Sequence, residues 1–80
     1  MRLSQSRHSK ETYHPNGRIQ SGGETINGLK HGVWYSYNPK GTLTSINHYR
    51  MGTLNGTQLK YNSEFEITQK QVYDMGQTIE

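Results

Sequence analysis

Eighty residues allow one small domain. The chain is 29% apolar, has no cysteine, and carries nine lysines and arginines against six acids, a net charge of +3. No apolar run approaches the ~20 residues of a transmembrane helix, and neither a disulfide framework nor a thiolate metal site can be built. A chain this small buries only about 60% of its unfolded surface, so help from self-association or a partner is expected.

Residues 1–12 are basic and Ser-rich and contain no apolar segment. A flexible N-terminal arm is expected there, with no secretory leader and hence a cytoplasmic location. Residues 13–80 are expected to fold. They repeat on a 24-residue offset, which divides them at about 13–36, 37–60 and 61–80. Tyr13-His14-Pro15-Asn16-Gly17 lines up with Tyr37-Asn38-Pro39-Lys40-Gly41 and, more loosely, with Tyr61-Asn62-Ser63. Ile19, Leu43 and Ile67 follow at the same place. A second landmark, Asn27-Gly28, recurs as Met51-Gly52 and Met75-Gly76. Tyr49 and Tyr73 also align.

Each repeat reads as β. Gly, Pro and Asn punctuate the chain at short intervals, with Thr-, Tyr-, Ile- and Val-rich segments between them. Strands are predicted near 18–26, 42–50 and 66–74, with shorter return strands at 33–37 and 57–61. In the second, Leu43, Ser45, Asn47 and Tyr49 should share one face, and Thr44, Ile46 and His48 the other. Asn27-Gly28 suits a two-residue hairpin, because both residues tolerate positive φ. Asn38-Pro39-Lys40-Gly41 suits a type I turn. Phe65 stands where the first two repeats have Gly17 and Gly41, which leaves the turn at 62–65 without its glycine and puts it in doubt. Gly22-Gly23 falls inside a strand, which points to a bulge or a close backbone approach. The sum is an all-β chain, a single elongated antiparallel meander of about three 24-residue hairpin repeats.

These residues resemble a known family. Tyr13-His-Pro-Asn-Gly-Arg-Ile, Asn27-Gly-Leu-Lys-His-Gly and the pair Trp34-Tyr35 are similar to the MORN-repeat variant of small bacterial proteins. The resemblance implies a single twisted sheet with two strands per repeat. Many members are labelled antitoxins of toxin–antitoxin systems, and the larger relatives are scaffolds for protein contacts.

Function is then a question of surface. Trp34, Tyr35, Tyr37, Tyr49, Lys40 and Arg50 are the expected anchors of an aromatic and basic sheet face. Such a face would occlude a partner protein, a toxin or a defence enzyme, as an inhibitor does. The alternative partner is RNA or single-stranded DNA, held by Lys30, Lys40, Arg50 and Lys60 with bases stacked between. The basic body of residues 1–60 and the acidic residues 61–80 also suit a homo-oligomer paired through sheet edges. No catalysis is expected. His8, His14, His31 and His48 have no motif partner or zinc spacing, and Glu64 with Glu66 reads as a solvated edge. No cofactor or metal is expected.

Overall fold

A computed structural model describes residues 7–79. They form one open antiparallel sheet of eight strands. These are β1 (Arg7–Tyr13), β2 (Ile19–Ile26), β3 (Leu29–Tyr37), β4 (Leu43–Arg50), β5 (Thr53–Leu54), β6 (Gly56–Tyr61), β7 (Ile67–Asp74) and β8 (Gln77–Thr78). Strands adjacent in sequence are adjacent in space, except that β4 pairs with both β5 and β6. Among the described residues there is no helix, and so none long and apolar enough to cross a membrane. The molecule measures 50 × 35 × 14 Å. All eight strands belong to one sheet, so the thin axis spans a single layer.

Local chemistry explains the turns. Asn27-Gly28, Met51-Gly52 and Met75-Gly76 all have two positive φ angles, near 50° and between 81° and 91°. That is the type I′ pair, whose twist matches that of the flanking strands. The other edge carries longer turns at 14–17, 38–41 and 62–65. In each, the fourth residue donates its N–H to the carbonyl of the first. Gly17, Gly41 and Phe65 then take positive φ, 88°, 90° and 61°. The third turn therefore keeps the geometry of the other two although its glycine is missing. Asn62 holds it there, its Oδ1 accepting from the N–H groups of Glu64 and Glu66, as Asn38 Oδ1 accepts from Lys40 and Thr42.

Neighbouring repeats are tied at both rows of turns. Gly52 N–H donates to Lys30 O and, 24 residues on, Gly76 N–H donates to Leu54 O, both at 2.7 Å. His31 Nδ1 accepts from Met51 N–H, and Asn55 Oδ1 from Met75 N–H. On the opposite edge Asn16 Nδ2 donates to Pro39 O and Arg18 to Lys40 O.

The return strands of the first two repeats share a wide irregularity in their pairing. Glu24 pairs with His31 but Gly22 pairs with Tyr35, so Gly23 alone opposes three residues. One repeat later the same shift splits the strand into β5 and β6 around Asn55. A bulge leaves ladder groups unpaired, and a side chain closes each gap. Trp34 Nε1 donates to Glu24 O at 2.8 Å. At the equivalent place Gln58 accepts from His48 N–H and donates to His48 O, both at 3.0 Å. Trp34 lies flat on Gly23, where an added Cβ would meet the indole at 2.5 Å. The expected bulge and close approach at Gly22-Gly23 are one feature. Trp34 and Ile26 are the buried apolar side chains among the described residues, with Thr25 and Gln58 the buried polar ones.

Three expectations of the fold need correction. The return strand predicted at 33–37 is not the shorter partner: β3 begins at Leu29 and has nine residues against eight in β2 and in β4. From Arg7 the arm is a strand, in register with β2 from Arg7↔Ile26 to Thr12↔Ser21. Its backbone completes a ladder although its sequence has no apolar alternation. Residues 1–6 of the expected arm lie outside the described residues. Leu43 also leaves the row of Ser45, Asn47 and Tyr49, because a shift between Ser36 and Tyr37 sets it opposite Tyr37.

Candidate binding faces

Register divides the sheet into two unlike faces, because cross-strand partners share a face and chain neighbours alternate. One row runs Glu11, Gly22, Tyr35, Ile46, Leu59, Lys70. The next, on the other face, runs Thr12, Ser21, Ser36, Ser45, Lys60, Gln69. The first is apolar at its centre and charged at its ends. The second is polar throughout.

Tyr35 is 41% exposed, and Val33 and Ile19 are each 37% exposed. They line a depression of about 370 Å³ with Tyr37 and Glu11, floored by the glycine pair. The glycines make the hollow: opposite Tyr35, Gly22 offers no side chain. At its rim Tyr13 donates its hydroxyl to Glu11 at 2.8 Å. That hydrogen bond, and then the carboxylate charge, raise the Tyr13 pKa.

The polar face is organised around Lys30. Its ammonium stands 4.9 Å from the Trp34 ring and 5.1 Å from the Tyr49 ring. An exposed cation over a ring contributes about 0.5–1 kcal/mol. Tyr49, Leu54, Lys60 and Tyr73 line a second hollow on this face with Asn47 and Gln58.

The six expected anchors do not form one surface. Trp34 is 3% exposed and fills the bulge, so it is a core residue. The pair Trp34-Tyr35 points to opposite faces, as strand alternation requires. Tyr49 belongs with Trp34, while Tyr35 and Tyr37 line the apolar hollow. Lys40 lies in a turn at one end of the strands, and Arg50 at the other end, next to the Met51-Gly52 turn. The four expected nucleic-acid contacts are spread likewise. Lys30 and Lys60 occupy the polar face; Lys40 and Arg50 stand at opposite ends.

Ile46 and Leu59 were not singled out by sequence. Both were placed in strands, but only the register sets them beside Tyr35. Among the described residues, no three histidine or acidic side chains gather as a metal site. No protein-family model, curated protein or solved structure matches the chain.

Proposed function

We propose that this chain is a non-catalytic binding protein that covers a surface of a partner protein, in the manner of an antitoxin or a small inhibitor. The observation that carries the reading is the apolar row Tyr35–Ile46–Leu59 beside Val33, exposed at Tyr35 and Val33 and half-buried at Ile46 and Leu59, on a sheet that no second layer covers among the described residues. Interfaces favour aromatic anchors at an apolar centre within a polar rim. The Tyr35 hollow has that form, with Glu11 and Lys10 at its margin. The resemblance to MORN-repeat variants supports the same reading.

The nucleic-acid alternative places stacking on the polar face. It is weakened by Lys30, which occupies one side of both the Trp34 and Tyr49 rings where bases would stack. The two readings differ in salt dependence. Phosphate binding falls steeply with salt, and an apolar contact does not.

The test compares three forms of the protein purified from the same cells at 0.5 M NaCl. Wild type should retain a stoichiometric second polypeptide. Tyr35→Glu should lose it and Tyr49→Ser should keep it. Equal retention by Tyr35→Glu, or a nucleic-acid absorbance ratio that collapses in salt, contradicts the proposal.

A further inference from the structure

The two outer strands carry halves of one repeating element. β3 spans the whole bulged strand, and one repeat later β5 and β6 together span it. By the 24-residue offset, β8 matches β5, the first half, and β1 matches 31–37, the second half. The registers agree. β1 lies on β2 as β3 lies on β4, with His8↔Thr25 matching Gly32↔Tyr49 one repeat on. β8 lies on β7 as β5 lies on β4, with Tyr73↔Thr78 matching Tyr49↔Leu54. β8 covers Tyr73 and Asp74, which leaves the outer edge of β7 open from Ile67 to Lys70 among the described residues.

We propose that a second copy of this chain docks its β1 on that open edge, head to tail, so that β8 of one copy and β1 of the next make one continuous bulged strand. The register follows. Ser21↔Ser36 and Gly22↔Tyr35 recur as Ser45↔Lys60 and Ile46↔Leu59. One repeat further, Ser45 and Ile46 become Gln69 and Lys70, while Lys60 and Leu59 match Thr12 and Glu11. Gln69 therefore faces Thr12 of the next copy, and Lys70 faces its Glu11. The charged pair extends the row Glu11–Gly22–Tyr35–Ile46–Leu59–Lys70 from one copy into the next. The acidic turn with Glu64 and Glu66 comes beside the turn that carries Arg18. Charged edges resist random pairing, and here one register matches opposite charges. The interface is heterologous, so it propagates into an open chain or closes into a ring. It uses main-chain pairing at an edge and leaves both faces open, so it stands or falls apart from the partner-binding reading.

Cysteine cross-linking of the full chain tests it, because the chain has no cysteine of its own. Thr12→Cys and Gln69→Cys proteins, each folded by circular dichroism, are mixed under mild oxidation. Rapid formation of the Thr12→Cys/Gln69→Cys dimer is expected, at least tenfold faster than the off-register Thr12→Cys/Ile67→Cys dimer. A dominant Thr12→Cys homodimer means back-to-back pairing of β1 and overturns the proposal, as does no preference between registers. Sedimentation gives a second reading. Wild type should grow beyond a dimer with concentration. Lys70→Glu and Glu11→Lys should each weaken association by roughly tenfold, since like charges directly opposite repel, and an equimolar mixture of the two should restore it. A wild-type monomer at all concentrations, or no rescue in the mixture, refutes it.

Discussion

Gly22 and Gly23 are chain neighbours with opposite expected responses to alanine. At Gly23 an added Cβ would sit 2.5–2.6 Å from three atoms of the Trp34 indole. Ordinary carbon contacts lie near 3.5–4.0 Å, so the ring must retreat by roughly 1 Å or more. A tryptophan buries about 150–250 Å². Giving up a third of that costs about 1–2 kcal/mol at ~25 cal/mol per Å². The displaced ring also strains its hydrogen bond to Glu24 O, which contributes about 1 kcal/mol. Gly23→Ala should therefore lose about 2–3 kcal/mol, or roughly 10–20 °C in Tm for a chain of this size. At Gly22 the nearest atom to an added Cβ is Glu11 Cγ at 3.5 Å, an ordinary contact. A glycine within a strand is worse than alanine by about 0.5–1 kcal/mol, so Gly22→Ala should be neutral or stabilising. Urea unfolding by circular dichroism, with Trp34 fluorescence beside it, measures both. Gly23→Ala should also shift the emission to the red. Equal effects at the two glycines, or a Gly23→Ala protein as stable as wild type, would refute the packing argument.

Met75→Asn should stabilise the fold by about 0.5–1 kcal/mol, because Met75 holds φ 49° at a type I′ position where the first repeat has Asn27; thermal melts decide it, and a loss of stability counts against the turn assignment. Gln58→Leu should destabilise by about 2–4 kcal/mol, since it strands both the N–H and the carbonyl of His48 in the bulge; a change below about 0.5 kcal/mol by denaturant unfolding would show that water satisfies them. Glu11→Gln should lower the Tyr13 pKa, because it removes the carboxylate that accepts the Tyr13 hydroxyl and opposes its ionisation. A group whose pKa is raised by folding stabilises the neutral form, so this contact favours the fold below the usual tyrosine range and is lost as pH rises through the raised value. An NMR titration of Tyr13 that is identical in the two proteins would remove Glu11 as the cause.

The sequence made the repeat plain because its turns are chemically constrained. Asn27-Gly28 and Pro39 with Gly41 announce hairpins, and the offset carries the same reading to places where Met51, Met75 and Phe65 alone would not suggest them. β1 was hidden because an edge strand in a single layer is held mainly by its ladder. Only Tyr13 keeps the repeat's apolar landmark there, and Arg7, Lys10 and Glu11 read as solvated chain. The bulge was hidden for a different reason. Trp34 and Gln58 occupy one structural position and perform one task, hydrogen bonding to backbone freed by the bulge, with unlike side chains. Aromatic type pointed to Trp34 as a surface anchor, but burial depends on what lies beneath it, and Gly23 offers a flat seat. The apolar face emerged only from register, which sets residues 11, 22, 35, 46, 59 and 70 side by side.

The central claim is that the Tyr35 face, rather than the Lys30 face, meets the partner. Hydroxyl-radical footprinting of the complex isolated from native cells tests it side chain by side chain. Val33, Tyr35, Ile46 and Leu59 should lose reactivity relative to the free protein, while Leu54 and Tyr73 on the opposite face keep theirs. Protection of Leu54 and Tyr73, with Tyr35 unchanged, would contradict it.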